Sequence, residues 1–186
     1  MNNSSKNKSS ISTKNLALIG VMTAIICILG PIAIPLPVSP VPISFTNLAV
    51  YLAVYALGAK FGTISCALYL LLGTIGLPVF SGFSGGPAKL AGPTGGYLIG
   101  FLFMALITGF SIESFSGKLL PAVAGMGIGA VICYLFGTLW LAHQMNLTFT
   151  AALTVGVIPY LAGDAIKIIA AALLGPKLRR AVLRLS

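Results

Sequence analysis

The sequence predicts an all-α integral membrane protein of six transmembrane helices with both termini cytoplasmic. Three observations carry that expectation. Hydrophobic residues make up 58% of the 186 and charged residues only 7%, against about 25% charged in an ordinary soluble domain. Mean hydropathy is +1.05, so lipid must solvate most of the surface. The apolar runs also recur at the length of a membrane span and are separated by proline, glycine and lysine.

A spanning helix needs roughly 20 apolar residues. The runs at 15–34, 44–58, 61–77, 94–112, 119–142 and 148–174 meet or approach that length, the second and third being short. The separators are chemically distinct. Pro31, Pro35, Pro37, Pro40 and Pro42 end the first run in an extended segment that cannot be regular helix. Lys60, flanked by Gly58 and Gly62, marks a tight turn. Pro78 stops the third span, and glycine-rich chain follows from Gly82 to Gly96. Ser111 to Lys118 is polar, and His143 to Asn146 forms a short polar turn. The expected organisation is a polar cytoplasmic tail at 1–14, a six-helix membrane domain at 15–176 and a basic cytoplasmic tail at 177–186.

Residues 1–14 carry Lys6, Lys8 and Lys14 and, followed by an apolar run, imitate a signal peptide. A small-residue cleavage site is missing and proline-rich sequence follows, so the reading is an uncleaved first span. With the N-terminus inside, Lys6, Lys8, Lys14, Lys60, Lys118, Lys177, Arg179, Arg180 and Arg184 all fall on the cytoplasmic side, and Lys89 falls outside. The net charge of +9 is therefore an orientation signal. It implies contact with membrane lipid through the basic C-terminal tail, and no nucleic-acid partner. The proline-rich and glycine-rich loops then share the outer face, where long ordered loops commonly cover a site.

Much chemistry is excluded. No G-x-x-x-x-G-K-[ST] loop is present. Two acids and a single histidine, His143, cannot assemble a catalytic triad, an acidic pair or a metal site. No metal, cofactor or enzyme activity is expected. Cys27, Cys66 and Cys133 lie in apolar runs without paired spacing and read as packing residues.

One acid remains conspicuous. Asp164 lies in the last span, three residues before Lys167 and hence on the same helical face. Intramembrane charges cost several kcal/mol unless paired or wetted. The pair is either a self-neutralising structural contact or the polar floor of a ligand pocket. Pro159 and Gly163 are expected to bend the helix beside it. Small-x-x-x-small spacings at Gly20/Ala24, Gly58/Gly62, Gly96/Gly100 and Gly125/Gly129 permit close helix contact. The Ala17, Gly20, Ala24 face of the first span suits either internal packing or a partner subunit.

Four segments together resemble a known family. They are Pro40-Val41-Pro42-Ile43-Ser44-Phe45-Thr46-Asn47, Gly76-Leu77-Pro78-Val79-Phe80-Ser81-Gly82, Gly92-Pro93-Thr94-Gly95-Gly96-Tyr97-Leu98 and Pro159 through Lys167. In order and spacing they are similar to BioY, the biotin-specific substrate-binding (S) component of energy-coupling factor transporters. The chain departs from the usual pattern at Asn47, where the family more often has Gln, and at Ala162-Gly163-Asp164, where it more often has Pro-Gly-Asp.

The resemblance implies a prokaryotic plasma-membrane protein that captures biotin at the outer face. It implies a transmembrane coupling subunit and two cytoplasmic ATPases as partners, with Ala17, Gly20 and Ala24 as candidates for the contact. Biotin's ureido N–H groups would suit Asp164 as acceptor, with Lys167 neutralising it and donating to a ligand oxygen. Its carboxylate needs donors, for which Gly82, Gly85 and Gly86 amides, Ser81 and Lys89 are candidates. Tyr97, Phe45 and Phe80 could enclose the rings, with Asn47 and Tyr160 completing the candidate set. An S component for another vitamin and a ligand-free structural membrane protein are the alternatives.

Overall fold

The computed structural model describes residues 12–37 and 39–184. Helix α1 (Thr13–Leu29) runs to Gly30 and Pro31. Strands β1 (Ala33–Leu36) and β2 (Ser39–Ser44) pair antiparallel, with Ala33 opposite Ser44 and Leu36 opposite Ser39. The ladder is irregular between Ile34 and Leu36, at Pro35, which has no N–H to donate. The extended proline segment is thus a β-hairpin, a small addition to an otherwise helical architecture.

Helix α2 (Thr46–Thr74) holds two of the six spans. Gly58 breaks it with φ 79° and ψ −175°, a conformation essentially confined to glycine. In a continuous helix Val54 and Gly62 would be about 12 Å apart along the axis. Instead, a methyl group built on Gly62 would lie 2.6 Å from the Val54 Cα. The 46–57 and 59–74 arms therefore fold back on each other, as the turn at Gly58, Lys60 and Gly62 predicts. Glu113 closes this turn by accepting the Ala59 N–H at 3.1 Å.

A short helix α3 (Pro87–Ala91) lies in the glycine-rich stretch. Helices α4 (Gly95–Ser114) and α5 (Leu119–Met145) then form the most extensive pairing in the molecule. Glycines permit it: a Cβ at Gly96 would meet the Phe136 carbonyl at 2.6 Å, and one at Gly100 the Cys133 Cα at 3.0 Å. The Gly96/Gly100 and Gly125/Gly129 spacings are thus internal contacts. Gly20 differs, since none of the described residues lies within 4 Å of its Cβ position, and Ala17, Gly20 and Ala24 are all exposed.

The sixth span is not one helix. Helix α6 (Phe149–Gly156) stops at Val157, a 3₁₀ turn covers Ile158–Tyr160, and α7 (Leu161–Arg184) resumes beyond Pro159. The ring of Pro159 removes a helical donor and blocks continuation at that point. Helix α7 continues through Pro176 to Arg184, so the terminal basic residues extend it.

The two ends of the bundle differ. One gathers Lys14, Lys60, Lys118, Lys177, Arg179, Arg180 and Arg184; a Cβ at Gly117 would lie 3.9 Å from Arg179. The other carries the β-hairpin and the 75–94 segment, joined where the Gly82 N–H donates to the Pro31 carbonyl at 3.0 Å. Between the ends, Leu71, Phe110, Val131 and Leu173 are each more than half exposed, as lipid-facing side chains are.

Candidate functional site

Beneath the β-hairpin lies a cavity bounded by α2, α4, α5 and α7. Its wall is aromatic, built from Tyr51, Tyr69, Tyr97, Phe101, Tyr134 and Tyr160, with Leu98 and Met104 between them.

The polar floor centres on Asp164. Helix α7 places Asp164 and Lys167 one turn apart, both buried, and they form a 2.9 Å ion pair. Asn47, in the first turn of α2, donates from Nδ2 to Asp164 Oδ1 at 2.7 Å. Tyr134 on α5 donates its hydroxyl to Asp164 Oδ2. One carboxylate thus gathers three donors from three helices. A carboxylate offers about four acceptor positions, which leaves capacity for a further N–H.

Lys167 has a second attachment, donating to the Ser44 carbonyl at 2.7 Å. Ser44 ends β2, so the lysine ties the floor to the covering hairpin. Tyr160 makes a parallel tie, donating to Val41 O and approaching Ser39 Oγ at 2.7 Å. The bend at Pro159 sets that ring beneath the strands. Tyr97 donates to the Gly156 carbonyl at 2.9 Å, joining α4 to the broken end of α6.

Of the candidates read from the sequence, Asp164, Lys167, Asn47, Tyr97, Tyr160 and Ser81 line this cavity. Phe45, Phe80, Gly82, Gly85, Gly86 and Lys89 are not in its wall. Phe80 is fully buried against Tyr69, ring centroids 5.5 Å apart and edge-on, and fills the space above Gly73. Phe45 lies at the start of α2 and is 36% exposed. The Gly82 and Gly86 amides, expected above to serve a ligand carboxylate, are engaged within the protein: Gly82 with Pro31, and Gly86 with the Gly73 carbonyl at 2.7 Å. Gly85 is packed on Leu77, where a Cβ would meet the carbonyl at 2.3 Å. Lys89 lies in α3.

Sequence reasoning did not single out Tyr134, Tyr51, Thr94 or the Ser44 carbonyl. Tyr51 could have been found, being four residues after Asn47 and hence on the same helical face. Tyr134 lies in an apolar run with no local mark of its partner.

These features define a class: a multi-pass helical membrane protein with an aromatic-walled cavity floored by a buried ion pair. Comparison with known proteins narrows it. The BioY family model matches residues 2–184, and the chain belongs to the BioY family. It is 40% identical over 170 residues to the biotin transporter BioY of Thermotoga maritima, covering 90% of this chain and 96% of that one. It is 42% identical over 174 residues to the biotin transporter BioY of Rhizobium etli, covering 89% and 92%. The crystal structure of the S-component for biotin from an ECF-type ABC transporter superposes with a TM-score of 0.84 at 32% identity, covering 92% of this chain and 95% of that one. These relatives are transporters or transporter components, not enzymes.

Proposed function

We propose that this chain is the biotin-capturing S component of an energy-coupling factor importer in a prokaryotic plasma membrane. The observation that carries the reading is the Asp164 cluster inside an aromatic cavity. Biotin has a polar but uncharged ureido head with two N–H donors and one carbonyl acceptor. Asp164 offers acceptor capacity to an N–H, while Lys167 and Asn47 bring donors to the same place for the ureido oxygen. The rings of Tyr51, Tyr97 and Phe101 would cover the fused rings and alkyl chain. Every polar atom of the ureido group needs a protein partner, because a site that leaves one unpaired discriminates strongly against it.

The positive-inside arrangement puts the basic end in the cytoplasm and the hairpin end outside. Biotin would enter from outside beneath the β-hairpin. Release on the opposite side requires energy this chain has no motif to harvest, so a transmembrane coupling subunit and two ATPases are the partners proposed. The Ala17, Gly20, Ala24 surface of α1 is the contact proposed for the coupling subunit, because it is the small-residue face left uncovered.

Calorimetric titration of the purified chain tests this reading. Biotin should bind saturably at one site per chain, and thiamine and riboflavin should not. Preference for another vitamin would assign a different S component; no saturable binding would favour a structural membrane protein.

A further inference from the structure

Helix α7 has two opposite faces, and the cavity uses only one. Asp164, Lys167, Ala171, Gly175 and Val182 are buried toward the bundle. On the far side, Ile166, Ile169, Leu173, Lys177, Arg180 and Arg184 fall within an arc of about 80°, at about 100° per residue. All six are exposed, the three apolar ones by 67%, 59% and 65%. Gly175 and Val182 are buried on either side of Pro176. They are seven residues apart, so the helix keeps its phase through that proline.

The outer stripe changes character between Leu173 and Lys177. It is aliphatic in its first half, as a lipid-facing surface is, and wholly cationic in its second. That is the order of materials in a bilayer, hydrocarbon and then headgroup. Lys177 and Arg184 are two turns apart, about 10 Å along the axis. The headgroup layer is about 5–7 Å deep, and long flexible side chains reach it from all three cationic positions.

These cations find no acid within the protein. Asp164 and Lys167 form the only ion pair among the described residues. Glu113, the one acid at the basic end, accepts the Ala59 N–H at 3.1 Å. Arg180 donates from Nε to the Pro176 carbonyl at 3.3 Å, which turns the side chain back toward the apolar half of the stripe. Its terminal nitrogens stay available for the forked contact that a guanidinium makes with a phosphate. Arg179 shows the contrast, since it lies on the inward side with its Cδ 3.9 Å from the Cβ position of Gly117.

We propose that this stripe of α7 binds an anionic phospholipid of the cytoplasmic leaflet. An acyl chain lies along Ile166, Ile169 and Leu173, and the phosphate sits among Lys177, Arg180 and Arg184. The site uses the orientation proposed above and does not depend on which ligand fills the cavity. Because Asp164 and Lys167 project from the other face of the same helix, a headgroup held here fixes the depth and rotation of the cavity floor.

The test is native mass spectrometry of the full chain in detergent micelles, titrated with phosphatidylglycerol, with phosphatidylcholine of the same acyl chains, and with inorganic phosphate. Wild type should retain phosphatidylglycerol at least about tenfold better than phosphatidylcholine, since each cation near an anionic headgroup contributes roughly fivefold in affinity. Lys177→Gln, Arg180→Gln and Arg184→Gln combined should reduce that preference to within about threefold. Lys14→Gln, Lys60→Gln and Lys118→Gln combined remove the same charge from the same end and should leave it intact. Equal loss in both triple variants would show diffuse attraction and overturn the proposal. So would the absence of a preference in wild type, its persistence in the α7 variant, or inorganic phosphate binding as tightly as the lipid. Should a triple variant fail to fold, Arg180→Gln against Lys60→Gln carries the same comparison, with at least about a threefold loss expected for Arg180→Gln alone. Binding in micelles requires neither biotin nor an orientation, so this proposal and the function proposed above fail separately.

Discussion

Asn47 and Asp164 are 117 residues apart in the chain and joined by a hydrogen bond of 2.7 Å. The bond runs from the first turn of α2 to the first turn of α7, and it lies beneath the hairpin that Lys167 also touches. Cavity floor and covering strands therefore form one hydrogen-bonded unit.

Asp164→Asn removes the charge and an acceptor, and leaves Lys167 without its counter-ion. Biotin binding should weaken by about 1–3 kcal/mol, the scale of a buried partner left unsatisfied. Combining it with Lys167→Met should recover folded yield but not affinity. Wild-type affinity in the single variant, read by calorimetry, would make the pair structural.

Tyr134→Phe removes one of the three donors to Asp164 and keeps the ring. The expected loss in biotin affinity is about 1 kcal/mol or more, with little change in melting temperature, because the aromatic wall is preserved. A large fall in melting temperature with unchanged affinity would instead assign Tyr134 to the core.

Gly20 and Ala24 face outward, and among the described residues no atom stands where a Gly20 side chain would go. Gly20→Leu or Ala24→Leu should leave biotin binding nearly intact and reduce recovery of the coupling subunit in pull-down from co-expressing cells. Equal loss of binding and assembly would show that the exposed face supports the fold.

Gly58→Ala should destabilise the chain by about 1–3 kcal/mol from backbone strain alone. The new methyl would also fall 1.9 Å from Glu113 Oε1, displacing the carboxylate that closes the α2 turn. Thermal denaturation in detergent measures the effect; an unchanged midpoint would refute the importance of the turn.

Cysteines introduced at Phe83 or Ser84, in a background lacking Cys27, Cys66 and Cys133, should react with an impermeant maleimide from outside intact cells. One at Ser116 should react only after permeabilisation. The reverse pattern would invert the orientation and move the cavity to the cytoplasmic face.

The six spans were legible in the sequence because hydropathy and helix breakers are local properties. A run of apolar residues must be helical in lipid whatever surrounds it, and Gly58 and Pro159 interrupt helices through their own backbones. The Asp164–Lys167 pair was legible for the same reason, since three residues of helix place both on one face. Tertiary structure alone decided the rest. The glycine amides of the 78–93 loop look free in sequence, but Gly82 and Gly86 are engaged once Pro31 and Gly73 come beside them. Phe80 resembles a ring-stacking residue until Tyr69 and Gly73 close around it. Tyr134 and Asn47 acquire their meaning from a carboxylate on another helix. A hydrogen bond's partner depends on how helices pack, and packing joins residues that no local pattern relates.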